Sequence, residues 1–355
     1  MNKVQNVYTD ELIDSSRISV VIQGLTHYVE GDDNCLFYQC VNSIKEHLPN
    51  AEIIVSTWEG QVCDESVVDR VIYGKEPEGL KVSENLTRQW NFNKMVVSTI
   101  NGLNTVNREY ALKIRSDLKL NSLELFKITK KLEISDDILQ YKIFEEPINV
   151  TNIYIKTPLS YHHFLFHLSD IIQFGRVDLL QDLWNREIFT REELFCELKW
   201  NSCFNYHCDT QERNSPEQAL MIGWLNSHGY NIYLPYTTYV SANYLKVSEL
   251  TLSLNFNVLE WDASGIIFPY RFTFSKNMLN SYIYRASELN LIYIKYNGFY
   301  FFKRITVMYL NFYVFKFFNI EFRDEFIRTI LFWFSPKLYF KLKKGWRKFK
   351  KKDAL

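Results

Sequence analysis

A strand–helix–strand run near the start of the chain constrains the fold most. Ile18-Ser-Val-Val-Ile-Gln-Gly24 is β-branched and ends in Gly, the pattern of a buried strand. Asp33 or Asn34 can cap a following helix whose Leu36, Phe37, Cys40, Val41, Ile44 and Leu48 share one face. Pro49-Asn50 stops it, and Glu52-Ile-Ile-Val-Ser-Thr57 reads as a second strand. Two strands joined through one helix are parallel neighbours, so the pattern predicts the α/β class with a mostly parallel central sheet. Asp69 to Tyr73 offers a third short strand. Asn93 to Leu103 reads as a helix, with Met95, Val96, Ile100 and Leu103 on one side.

The next strand, Tyr110-Ala-Leu-Lys-Ile-Arg-Ser-Asp-Leu118, alternates sharply. Leu112 and Ile114 point one way, and Lys113, Arg115 and Asp117 the other, by the two-residue strand period. Such a charged row is either a solvated edge or the floor of a polar site. Two cations and a carboxylate at a strand end can offset a diphosphate directly or through a divalent metal. Familiar phosphate and hydrolase signatures are missing: no G-x-G-x-x-G, Walker A lysine, G-x-S-x-G or H-E-x-x-H occurs.

Further along, Arg191 to Glu197 and Pro216 to Leu225 read as helical, with Ser215 as cap and Pro216 in the first turn. Asp170 and Glu217 are carboxylates of the kind a general base requires. Each also has a structural reading, as a helix cap and as first-turn charge. His163, His167, Cys203 and Cys208 lack the paired ligand spacing of a structural zinc site.

The 355 residues suit one large domain or two ordinary ones. Forty-one Lys and Arg balance 41 Asp and Glu, which argues against a dedicated nucleic-acid binder. The neutrality is uneven, however. Lys337 to Leu355 holds nine cations against Asp353, a net +8, and leaves −8 on the remainder. Phe332, Trp333, Phe334, Tyr339, Phe340, Trp346 and Phe349 interleave with those cations, as in an interfacial helix docked on anionic lipid. Trp346, Arg347, Lys348, Lys350, Lys351 and Lys352 are the expected membrane-binding residues. Met1 to Arg17 has no apolar signal core, and no uncharged apolar run is long enough to span a bilayer. These features predict a cytoplasmic chain, peripheral on the inner face of the plasma membrane, with its six cysteines reduced.

Taken in order, several blocks resemble one family. They are Ile18 to Gly24, Glu52 to Gly60, Asn91 to Leu103, Tyr110 to Asp117, His167-Leu-Ser-Asp-Ile-Ile-Gln-Phe-Gly175, and Ser215-Pro-Glu-Gln218. The set is similar to the WavE lipopolysaccharide-synthesis family over about residues 18–230. That family in turn resembles GT-A-type glycosyltransferases, whose α/β sheet binds a nucleotide sugar with an acidic motif at a strand end. The resemblance implies a GT-A-like domain (18–250) after an N-terminal extension (1–17), and the shift to aromatic composition beyond about Ser241 marks off a mainly helical C-terminal region (251–355) ending in the basic tail. It implies a bacterial enzyme that moves a sugar from a nucleotide-sugar donor to a lipid-linked or lipid A-anchored glycan acceptor.

Arg115-Ser116-Asp117 stands at the acidic motif, with Arg at its first acidic position. The resemblance implies that Asp117 ligates Mg²⁺ or Mn²⁺ with the donor diphosphate, or that Lys113 and Arg115 neutralise it without metal. Gln23, Gly24, Thr57 and Trp58 are implied near the donor, and Asp170 and Glu217 on the acceptor side or as base. Two rival classes are a sugar-phosphate nucleotidyltransferase and a non-catalytic membrane-bound assembly factor.

Overall fold

The computed structural model describes residues 10–26, 35–82, 89–129, 134–160, 163–197, 206–207, 210–273 and 282–318, with short stretches between 323 and 342. Its centre is a seven-stranded sheet. The strands are β1 (Ile18–Gln23), β2 (Glu52–Trp58), β3 (Arg70–Gly74), β4 (Tyr110–Arg115), β5 (Ile148–Thr151), β6 (Gln173–Arg176) and β7 (Phe256–Leu259). Their spatial order is β7-β5-β6-β4-β1-β2-β3. Only β6 runs antiparallel to its neighbours; the other pairings are parallel.

Strand β4 is therefore interior, between β1 and β6, and the solvated-edge reading of its charged row is overturned. Both sheet faces are covered, which is why β1 is buried along its whole length, Ser19 and Gln23 included, rather than alternating between core and solvent. Val20, Ile22, Leu112 and Ile114 pack beneath α1 (Leu36–His47), whose Phe37, Cys40, Val41 and Ile44 are buried. Val21 and Ala111 face the other layer. That layer holds α2 (Phe92–Leu103), α3 (Val177–Trp184), α4 (Pro216–Ser227) and α5 (Ala242–Asn255). Gly102 of α2 lies against β1 so closely that a Cβ would stand 2.3 Å from Val21 Cγ1.

Several expectations shift. Leu36, expected on the core face, is exposed at the first residue of α1. The helix expected over residues 191–197 ends at Leu194, because Phe195–Glu197 pairs as a strand with Thr210–Glu212. Asp170 caps no helix, since the chain enters strand β6 three residues later. Residue 250 falls inside α5, and β7 beyond it joins the central sheet, so the sheet draws on both sides of that position. Helix α6 (Gly298–Tyr313) is pinned to α5 through Arg304 and Glu249. Among the described residues no helix is long and apolar enough to cross a membrane. Trp346, Arg347, Lys348, Lys350, Lys351 and Lys352 lie outside the described residues, as do Cys203 and Cys208. Among the described residues Cys35, Cys40, Cys63 and Cys196 form no disulfide.

Candidate functional site at the sheet switch point

The chain builds β1, β2 and β3 outward in one direction, then returns through α2 to lay β4 on the far side of β1. That reversal is a topological switch point, and open α/β sheets bind ligands there, at the carboxyl ends of the strands. The last residues of the two strands, Gln23 and Arg115, are register partners. Above them opens a cavity of 510 Å³, within the range of small-molecule and cofactor sites.

Its floor is fixed by local bonds. Ser98 of α2 donates to Gln23 Oε1 at 3.0 Å. Gly24 has φ +114°, a backbone conformation that side-chain-bearing residues rarely adopt, and this turns the chain off β1. Ser116 Oγ then donates to the Leu25 carbonyl at 2.6 Å, tying the two strand ends together. Trp58 walls one side, and Lys94, paired with Glu76 at 2.7 Å, lies on another.

Asp117 lies on the floor between two guanidinium groups. Arg115 donates to it through Nε and Nη2, both at 3.0 Å, and Arg271 pairs with Oδ2. Phe272 stacks beside Arg115, 5.4 Å from its guanidinium carbon. Asp117 is thus bound at both oxygens, and among the described residues no three His, Cys, Asp or Glu side chains gather where a metal could share them. This donor set does not fit a protein-held Mg²⁺ or Mn²⁺; it presents cations.

Lys113 does not join them. It is fully buried beneath the rim, its ammonium donating to the Asp170 carbonyl and lying 5.1 Å from the Trp184 ring. Burial lowers it to about 8. Gln173 holds the same segment from below, donating to the Ser169 carbonyl at 3.0 Å and accepting from Trp184 at 2.7 Å. Thr57 is also buried away from the cavity, its hydroxyl without a hydrogen-bond partner among the described residues.

Asp170 and Glu217 form a second cluster behind Arg115. Antiparallel pairing of Gln173 with Lys113 carries Asp170 past the carboxyl end of β4. Glu217 opens α4, where Ser215 and Gln218 form a reciprocal capping box. Burial pushes both carboxyls up, Glu217 to about 7, with the Asp170 charge adding to its rise. Arg115 and Lys113 oppose the rise at Asp170, and Lys156 opposes it at Glu217. His167 Nε2 lies 3.6 Å from Glu217, and burial keeps that imidazole neutral. Tyr154 adjoins the cluster at φ +62°, a left-handed conformation costing a non-glycine residue about 1–3 kcal/mol.

Arg271, Tyr154 and Lys156 are not among the residues expected at the site from sequence. Ile153 and Ile155 are buried while Tyr154 and Lys156 are not, so a period-two signal existed for that pair. Arg271 carries none, because a four-residue helical turn has no periodicity to read.

Fold and site define an α/β protein with a cationic crevice at the switch point of its sheet. The model of the WavE lipopolysaccharide synthesis family matches residues 18–331, and the chain belongs to that family. The match runs well past residue 230, where the resembling blocks end, and takes in Arg271 and α6. No curated protein matches. A crystal structure of S. aureus TarS is similar over 88% of this chain and 48% of its own, at 12% identity and a TM-score of 0.29. The present chain thus spans about half the length of that structure.

Proposed function

We propose that the chain is a glycosyltransferase of GT-A type. It would take a sugar from a nucleotide-sugar donor and place it on a lipopolysaccharide or related lipid-linked glycan at the inner leaflet. The observation that carries this reading is the pair of guanidinium groups, Arg115 and Arg271, held by Asp117 on the cavity floor.

A nucleotide sugar brings a diphosphate, and that diphosphate gains charge as the glycosidic bond breaks. Arginine suits it, because its planar fork matches phosphate oxygens and stays charged. Asp117 orients both forks before the donor arrives, so little reorganisation is needed at the moment of transfer. Gln23, Gly24 and Trp58 line the remaining cavity and would receive the nucleoside. The acceptor hydroxyl oxygen would attack the anomeric carbon while the bond to the diphosphate breaks, and its proton would pass to Glu217 or Asp170. A carboxyl near 7 is matched to that task. Lys113 acts here as a positioning residue, holding the Asp170 backbone from beneath.

Thermal shift against a panel of nucleotide sugars tests the reading. One intact donor should raise the melting temperature of the wild type. Asp117→Ala and Arg271→Ala should lose that shift and lower transfer by about a hundredfold or more, the scale of one lost transition-state contact. Arg271→Ala should keep an unliganded melting temperature near wild type, while Asp117→Ala, which leaves two guanidinium groups without their carboxylate, should lower it and stay folded. Wild-type transfer in Asp117→Ala would overturn the site.

A further inference from the structure

We infer that the outward face of α6, continued by Phe315–Phe318, is a membrane-seating surface that inserts aromatic side chains among anionic lipid headgroups. Helix α6 is apolar on two opposite sides. Inwardly, Arg304 and Met308 are buried, and Phe301, Ile305 and Tyr309 pack on the main core. Outwardly, Phe299, Phe302, Thr306, Leu310 and Tyr313 follow one another at spacings of three and four, a single stripe along the helix. Phe299 is 80% exposed, Phe302 66% and Tyr313 65%, and Phe318 just beyond is 75% exposed. A helix facing water would carry polar residues there.

The stripe is not a loose helix awaiting its own core. Arg304 ties α6 to Glu249, and Asn311 donates to the Leu159 carbonyl. The face is therefore held outward by buried bonds on the other side.

Charge selects the occupant. Residues 291–318 contain no Asp or Glu, while Lys303 stands exposed on α6, Lys295 is exposed on the short helix before it and Lys316 follows it. This is the composition of an interfacial helix on an anionic bilayer. A second copy of the chain fits less well, because a two-fold pairing of the stripe would bring like charges together without acids to offset them. The proposal does not rest on the transfer chemistry or on the basic tail.

Cosedimentation with phosphatidylethanolamine–phosphatidylglycerol vesicles tests it, at low salt and at roughly 1 M salt, where charge attraction is screened within about 3 Å. Wild type should keep a salt-resistant bound fraction. Phe299→Ser with Phe302→Ser and Tyr313→Ser should weaken that fraction at least about tenfold at unchanged melting temperature. Thr306→Leu, which completes the stripe, should tighten it and decides the matter if the triple variant does not fold. Unchanged binding by the folded triple variant, or no tightening by Thr306→Leu, would overturn the proposal. So would light scattering that shows a dimer which the triple variant dissociates while vesicle binding persists.

Discussion

Lys113 and Arg115 sit two residues apart on one face of β4, yet they serve different places. Arg115 reaches the cavity because the strand ends there and its guanidinium clears the rim. Lys113 is one pleat deeper, so its ammonium ends in the protein, against a carbonyl and the Trp184 ring. Alternation along the strand indicated the shared side but gives no depth, and depth decides which cation can meet a ligand. The same limit applies to Glu217. Its place in the first turn of α4 is legible from Ser215-Pro216, but its burial comes from elements elsewhere in the chain. That burial has a pH consequence. A carboxyl raised from 4.5 to about 7 keeps its proton in the folded state after the unfolded chain has released it. Its stabilisation is full below 4.5 and lost as pH climbs through 7, by about 2 kcal/mol once the 21% exposure of its side chain is allowed for. Glu217→Gln should flatten urea-measured stability over that window and be the more stable protein at pH 8. An unchanged slope would assign the dependence to other groups.

At the scale of elements, β1, α1, β2, α2 and β4 were readable because each is long enough to show its period. The strands β5, β6 and β7 have four residues each, too few to show one, and they form only because the sheet edge beside β4 offers them partners. The attachment of α6 was equally hidden. Glu249 is fully buried on α5, accepts from Arg304 Nε at 2.7 and 2.8 Å, and takes the Tyr284 hydroxyl at 2.7 Å. Removing Glu249 leaves the buried Arg304 with only the half-exposed Glu288, at 2.6 Å, to offset its charge, so Glu249→Leu should cost about 3 kcal/mol in urea unfolding. The double change Glu249→Leu with Arg304→Met should recover most of that, because the one carboxylate it leaves unpaired, Glu288, is exposed to water. If the double variant is no more stable than the single one, the loss comes from the Tyr284 hydroxyl and packing rather than from the stranded guanidinium.

For the whole molecule, the uneven charge and the aromatic excess bear on one question, which is how the chain meets a surface. The acidic remainder carries −8 and would be repelled by anionic lipid, while residues 337–355 carry +8 and would be drawn to it. On the proposed membrane reading, the two fields would orient the molecule before any contact. Aromatic crowding after residue 290 was legible as composition, but only the fold separates its inward members from the stripe that α6 leaves outside. As proposed, the tail would act through charge and the stripe through apolar insertion, and salt distinguishes the two. Each cation near an anionic surface contributes about 1 kcal/mol, and that contribution fades with screening. Changing Arg347, Lys348, Lys350, Lys351 and Lys352 to Gln should weaken low-salt vesicle binding at least about tenfold. Binding at high salt, carried by apolar insertion, should stay the same, and so should the thermal shift given by the nucleotide sugar. If low-salt binding survives intact in this variant, the tail is not what brings the protein to the membrane.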